Sequence, residues 1–119
     1  MNRIAWTALV AFVASLVTLW AAYLLMPDEP SVQTVGGLPV ITKSELARHD
    51  HADSCWKAIE GRVYDVTDYI PDHPTPESVM LEWCGRDSTE AWQDKGSGRA
   101  HSRRAERMLE DYAIGVLAD

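Results

Sequence analysis

The hydrophobic pattern divides the chain into two unlike parts. Ile4 to Met26 is a run of 23 positions without a charge, preceded by Arg3. A helix of that length spans a hydrocarbon core, so we predict a transmembrane anchor over residues 1–26. A cleaved signal peptide is the alternative. It is disfavoured because the run is long for one and has no small-x-small cleavage site at residues 23–27.

A segment rich in chain-breaking residues follows the apolar run. Residues 27–39 hold three prolines and the pair Gly36-Gly37, without apolar periodicity. This composition is typical of a flexible linker. We therefore predict one folded domain over residues 40–119. A domain of about 80 residues has a thin core, and a bound cofactor or a cross-link would help to stabilise it.

The first half of this domain has the pattern of strands. A short strand is predicted at Val40-Ile41, and residues 55–59 and 62–66 alternate as a hairpin joined at Glu60-Gly61. Thr42 and Glu45 match a capping box, which predicts a short helix over residues 43–48.

The second half has the pattern of short helices. Thr67 can cap a turn through Ile70, and Thr75 is the predicted N-cap of a helix with Pro76 at its first position. That helix is predicted to end near Gly85, and it is followed by a helix from Asp87 or Ser88 through Gln93, a helix over 102–110 and a closing strand over 114–117. Strands followed by short helices indicate a small α+β domain.

Charge restricts both topology and partners. All 18 acidic residues and ten of the 11 basic ones follow the apolar run, so the remainder of the chain carries a net charge of −8. Such a surface disfavours nucleic acid and suits transient docking to a basic protein. Arg3 precedes the run, whereas Asp28 and Glu29 follow it. The positive-inside rule therefore predicts a single-pass membrane protein with its soluble domain on the exported side.

Two histidines are the candidate functional residues. His73 and His101 lie 28 positions apart, each at a loop beside an apolar helical segment. Two such imidazoles could approach one haem iron from opposite faces. A second pair, His49 and His51, lies in a polar turn with no third ligand in view, so we expect a solvated loop there.

The order and spacing of several stretches resemble a cytochrome b5 haem-binding domain, in the form that bacterial members take. The matching stretches are residues 55–59, 61–67, 73–74, 85–92, 101–102 and 112–117. The resemblance covers residues 40–117. It implies an α+β fold in which a short mixed sheet and two helix pairs form a haem crevice.

The resemblance also implies roles for individual residues. His73 and His101 match the axial iron ligands, and Ser102 matches a residue near a haem propionate. The positions that match the apolar lining of the crevice are Ile59, Val66, Tyr69, Val79, Met80, Trp92, Met108 and Tyr112. Non-covalent haem b is implied, and the chain has no Cys-x-x-Cys-His motif for covalent attachment.

The function that follows is a membrane-anchored b-type cytochrome carrying single electrons, rather than an enzyme. Its partners would be redox proteins, with a basic c-type cytochrome as one possibility. The alternatives are a haem- or ligand-binding module of the same fold without an electron-transfer role, and a haem enzyme with an open iron site.

The chain departs from the family pattern at two places. His73-Pro74 is followed by Thr75-Pro76, where the family usually has two glycines. Residues 95–100 form a connection about four residues longer than usual before His101. The glycines in that connection should let the extra length bulge outward.

Cys55 and Cys84 are the only cysteines. In a reducing compartment they would be two small buried residues, and in an exported domain they could form a disulfide. We hypothesise the disulfide, which would close a loop of about 29 residues and contribute roughly 3–4 kcal/mol.

Overall fold

A computed structural model describes residues 2–119 and divides the chain into two units, with the boundary after Ser31. The first unit contains α1 (Arg3–Leu24), a helix of 22 residues. At 1.5 Å per residue it is about 33 Å long, enough to cross a hydrocarbon core. Within residues 2–119 it is the one helix that is long and apolar enough to do so, by length and composition alone.

The second unit is built on a mixed sheet of seven strands. They are β1 (Thr34–Val35), β2 (Leu38–Ile41), β3 (Asp50–His51), β4 (Ser54–Ile59), β5 (Arg62–Asp65), β6 (Arg86–Asp87) and β7 (Ala113–Leu117). The strand order is β1-β2-β7-β5-β4-β3, with β6 paired to β4. The β2–β7 and β4–β6 pairs are parallel and the others antiparallel. Strand β1 and the start of β2 lie inside the segment that the sequence assigned to the linker.

Five short helices, one of them a 3₁₀ helix, complete the domain. They are α2 (Lys43–Ala47), a 3₁₀ helix (Thr67–Asp72), α3 (Glu77–Leu81), α4 (Thr89–Gln93) and α5 (Arg103–Glu110). The predicted cap at Thr42 is present, since its hydroxyl accepts the Glu45 N–H at 3.1 Å, and the Ser102 hydroxyl caps α5 by accepting the Ala105 N–H at 3.2 Å. The α+β fold class is therefore confirmed, with one N-terminal apolar helix in addition.

The prediction that Thr75 caps α3 is wrong. Pro76 occupies the N-cap position, and no side chain caps the helix. The Thr75 hydroxyl lies instead 2.6 Å from Nδ1 of His73. The Thr75 hydroxyl therefore interacts with the His73 imidazole instead of the N-terminus of α3. A capping pattern in the sequence does not show which of these two partners the hydroxyl takes.

Two turns depend on backbone conformations that favour glycine. The β4–β5 hairpin turns at Glu60 and Gly61, whose φ angles are 50° and 81°, as a two-residue hairpin loop requires. Gly85 has φ of 76°, and a Cβ atom there would lie 2.7 Å from Cβ of Asp50. Glycine at this position therefore lets the chain leaving α3 pack closely against the β3–β4 edge.

The alternation of side chains along β4 and β5 creates two hydrophobic clusters. The closed-face cluster contains Ile41, Leu46, Ala58 and Val63. The cleft-face cluster contains the buried residues Cys55, Ile59, Tyr64, Val66, Ile70, Met80 and Cys84. Successive residues of a strand point to opposite faces, which is why Ala58 and Ile59 belong to different clusters.

A disulfide joins Cys55 on β4 to Cys84 just after α3, with the two Cα atoms 4.8 Å apart. Both residues are buried in the cleft-face cluster. The pairing hypothesised from the sequence is therefore present in the structure. It ties the sheet to the helical segment that follows His73.

Candidate functional site

A cleft of about 700 Å³ opens on the cleft face of the domain, and its lining is mainly apolar. The volume lies within the range of pockets that hold cofactors and other small molecules. Every residue that the sequence assigned to the site lines this cleft: Ile59, Val66, Tyr69, His73, Val79, Met80, Trp92, His101, Ser102, Met108 and Tyr112. The structure thus brings together residues that are spread over more than 50 positions of the chain.

His73 enters the cleft from the end of the 3₁₀ helix and is half-buried. Its Nδ1 lies 2.6 Å from the Thr75 hydroxyl and accepts the Thr75 N–H at 3.3 Å. The Tyr69 ring meets the imidazole edge-on, with centroids 5.8 Å apart. In the other neutral tautomer, Nδ1–H would donate to the hydroxyl oxygen in place of accepting the Thr75 N–H, and Nε2 would keep the lone pair that binds a metal.

His101 enters the cleft just before α5. Its Nδ1 lies 2.8 Å from the Trp92 carbonyl oxygen, an atom that can only accept, so Nδ1 carries the proton. The imidazole also stacks on the Trp92 indole, with centroids 4.1 Å apart and planes 4° from parallel. These contacts fix the ring and leave the Nε2 lone pair unprotonated, which is the arrangement of a metal-binding histidine.

The extended connection before His101 folds back on itself. The Asp94 carboxylate accepts the N–H groups of Gly96 and Gly98, both at 2.9 Å, and the Lys95 N–H donates to the Arg99 carbonyl at 3.0 Å. Lys95 and Gly96 line the edge of the cleft, so the start of the connection does not bulge outward as expected. The added length is absorbed within the loop, and His101 keeps its contacts with Trp92.

The electrostatics of the cleft favour neutral imidazole at His73. Burial lowers the pKa of His73, and Coulomb interactions with Lys57 and His101 lower it further. A neutral imidazole is the form that binds a metal ion.

Lys57 is the main residue that the sequence reasoning missed. It lines the cleft from β4 and is only 6% exposed, and burial lowers its pKa to about 8. The signal was present in the sequence, because Lys57 is two positions from both Cys55 and Ile59. A period of two places all three side chains on one face of the strand.

His49 lies outside the cleft and is not the solvated loop residue that the sequence predicted. It is half-buried, stacks on Trp56 at 3.4 Å, and lies 2.6 Å from the Ser54 hydroxyl and 3.1 Å from the Glu45 carboxylate. Within residues 2–119, no group of three or more His, Cys, Asp or Glu residues is arranged to hold a metal ion.

Comparison with known proteins places this architecture in a family. The family model described as "Cytochrome b5-like Heme/Steroid binding domain" matches residues 42–118. The chain belongs to this cytochrome b5-like family. Membership supports haem as the group that the cleft holds, and electron transfer as the activity at the level of the family.

Relatives at high identity include bacterial proteins. The chain is 49% identical over 87 residues to a soluble cytochrome b558 of Ectothiorhodospira shaposhnikovii, covering 73% of this chain and 96% of that one. The cytochrome b558 structure from Ectothiorhodospira vacuolata, a prokaryotic homologue of cytochrome b5, superposes with a TM-score of 0.65 at 52% identity. That match covers 67% of this chain and 99% of the other. The predicted resemblance to bacterial members is confirmed.

Plant relatives are also similar. The chain is 40% identical over 82 residues to a cytochrome b5 of Nicotiana tabacum, covering 69% of this chain. It spans 57% of the length of that relative.

The residues present fit a haem group. Val79 and Met108 are exposed apolar side chains on the cleft, at 47% and 37%, so the cleft presents apolar surface that a flat apolar ligand would cover. The two imidazoles supply nitrogen donors suited to iron. The donor set and the lining therefore match the cofactor of the cytochrome b5-like family.

Proposed function

We propose that this protein is a membrane-anchored b-type cytochrome that carries single electrons, with Nε2 of His73 and Nε2 of His101 as the axial ligands of the haem iron. The observation that carries the proposal is the pair of imidazoles in one apolar cleft. Each ring has its Nδ1 engaged by a neighbour, the Thr75 hydroxyl or the Trp92 carbonyl, and within residues 2–119 neither Nε2 is engaged in a hydrogen bond.

Two protein ligands favour electron transfer over catalysis. With His73 and His101 both bound, no coordination position remains for O₂, peroxide or a substrate. The haem supplies a one-electron couple, and the fixed imidazoles keep its coordination unchanged between the two oxidation states. We therefore assign the protein as an electron carrier and not as an enzyme.

The cleft residues would hold the haem b without a covalent link. The apolar side chains exclude water from the ring, and Ser102 lies at the start of α5 beside His101. Its oxygen accepts the Ala105 N–H, so its O–H proton is free to donate to a haem carboxylate. Ser102 would then stabilise both the helix and the cofactor.

The apolar helix α1 supports a membrane location for this carrier. We propose that α1 spans the bilayer once and that the haem domain lies on the exported side, with the segment between α1 and β1 as the linker. The disulfide between Cys55 and Cys84 supports this placement, because such bonds persist in oxidising compartments. The partners would be redox proteins, and the acidic domain suits a basic acceptor such as a c-type cytochrome.

The visible spectrum of the full chain in detergent tests this function. Sharp, split bands should appear on reduction with dithionite, and carbon monoxide should leave them unchanged because both axial positions are filled. A spectrum that carbon monoxide alters would contradict the carrier assignment and favour an open site. Absence of haem would favour a ligand-binding module that shares only the fold.

Histidine variants test the ligand assignment. His73→Ala and His101→Ala should each convert the ferric spectrum from six-coordinate low-spin to high-spin. His51→Ala is the matched control, because His51 is an exposed histidine on β3 and does not line the cleft. A low-spin spectrum retained in either ligand variant would remove that histidine from the site.

A further inference from the structure

A lysine lies where the fold calls for an apolar side chain. Lys57 is on β4 between Cys55 and Ile59, two members of the cleft-face cluster that are 0% and 5% exposed. Lys57 itself is 6% exposed and lines the cleft. Lysine is almost never this deeply buried unless its charge is paired, so the position calls for a functional explanation.

The Lys57 ammonium group has only a weak partner. Its Nζ donates to the thioether sulfur of Met80 at 3.6 Å, and sulfur is a poor acceptor. Within residues 2–119 no carboxylate forms an ion pair with it. The positive charge therefore has no counter-charge in that part of the chain, and it lies in the wall of the same cleft that His73 lines.

We propose that Lys57 raises the reduction potential of the bound haem by placing a positive charge in the apolar wall of the cleft. This inference rests on the proposed electron-carrier function. The oxidised iron centre carries one more positive charge than the reduced centre. A nearby ammonium group therefore destabilises the oxidised form and favours uptake of an electron.

The sign of the effect separates charge from polarity. Replacing Lys57 by a neutral apolar side chain makes the cleft less polar, which by itself would disfavour the more charged oxidised form and raise the potential. Loss of the ammonium charge acts in the opposite direction and lowers the potential. A buried charge is also screened little by salt, whereas the effect of an exposed charge fades at high ionic strength.

The experiment is a reductive titration of the full-length holoprotein in detergent, in which each ferric haem takes up one electron from dithionite. Lys57→Met and Lys57→Gln remove the charge with and without loss of polarity. Both should shift the reduction equilibrium about tenfold towards the oxidised form, which is about 59 mV for a one-electron couple. Lys43→Met is the matched control, since Lys43 is an exposed lysine on α2 and does not line the cleft.

Each outcome has a distinct meaning. Lower potentials in both Lys57 variants, persisting in 1 M salt and absent in Lys43→Met, would support the proposal. Unchanged or raised potentials, with an intact two-imidazole spectrum, would overturn it without affecting the carrier function. Faster haem loss from Lys57→Met at an unchanged potential would instead assign Lys57 to holding a haem carboxylate and would also overturn it. Absence of a two-imidazole spectrum in the unaltered protein would refute the proposed function itself.

Discussion

The two faces of the sheet are packed for different purposes, although they share the strands β4 and β5. On the closed face, Ala58 and Val63 are completely buried against Ile41 and Leu46. On the cleft face, buried residues surround a cavity of about 700 Å³, and Val79 beside it is 47% exposed. The side chains of the closed face fill the space against the sheet, whereas those of the cleft face leave a cavity unfilled.

The difference shows how a small domain can combine a stable core with a site. Protein interiors are close-packed, so a large cavity lined by apolar groups forgoes contacts unless a ligand supplies them. The disulfide between Cys55 and Cys84 lies on the cleft face, where packing alone is least complete. Cofactor and cross-link should therefore stabilise the face that the side chains leave open.

Haem binding should produce the largest change. At a free haem concentration a thousandfold above the dissociation constant, the free energy of unfolding should rise by about 4 kcal/mol. Hydrogen exchange should show the added protection mainly in α3, α4 and α5, with less at β5. Equal stability of the haem-free and haem-loaded proteins in denaturant would contradict the idea that haem completes the packing of the cleft face.

Removal of the disulfide should have the next largest effect. The bond closes a loop with a sequence separation of 29 residues, and its loss should lower the free energy of unfolding by about 3–4 kcal/mol. Urea unfolding of the haem-free protein with and without reductant measures this. The double variant Cys55→Ala/Cys84→Ala is the control and should match the reduced protein. Two free thiols on unfolded, non-reduced protein would contradict the cross-link.

A valine-to-alanine substitution on each face tests whether the two faces differ. Val63→Ala should destabilise the haem-free and haem-loaded proteins alike, by about 2 kcal/mol, because Val63 is fully buried in the closed-face cluster. Val79→Ala should leave the haem-free protein nearly unchanged and should speed the transfer of haem to an excess of apomyoglobin. If the two variants behaved alike in both assays, the two faces would not be distinct.

The smallest predicted effect concerns pH and Lys57. Burial lowers the pKa of Lys57 in the folded protein from 10.5 to about 8, so the folded state releases this proton before the unfolded state does. Stability of the haem-free protein should therefore rise as pH increases above 8, and the penalty for the buried charge should be fully present below it. Between pH 7 and 9 the gain should be about 1 kcal/mol, and it should be absent in Lys57→Met. A fall in stability over this range that the variant does not share would contradict the burial of a charged lysine.

Much of the fold could be predicted because its signals are local. The hairpin at Glu60-Gly61 and the cap at Thr42 each depend on a few adjacent residues, and the structure has both. Strands β3 and β6 have two residues each and form only by pairing with β4, so no local sequence pattern predicts them. Strand β1 escaped prediction for the same reason, since it forms only by pairing with β2.

The residues of the site can likewise be divided into those that the sequence predicts and those that it does not. The resemblance to a known family located all the proposed pocket residues, and they do converge on one cleft. It carried no information on the contacts that Thr75 and Lys57 make. Thr75, the predicted cap of a helix, contacts the imidazole two positions away instead, and a capping pattern does not distinguish these two partners. The period of two places Lys57 on the cleft face of β4, whereas the depth of its burial depends on tertiary packing.

The central claim is that two imidazoles, from His73 and His101, bind one haem iron in the cleft. The most direct test is the low-temperature electron paramagnetic resonance spectrum of the ferric full-length protein, compared with that of His101→Ala. Ligation by two imidazoles should give a rhombic low-spin signal from the unaltered protein, and the variant should give an axial high-spin signal. A high-spin signal from the unaltered protein, or the same low-spin signal from both, would contradict it.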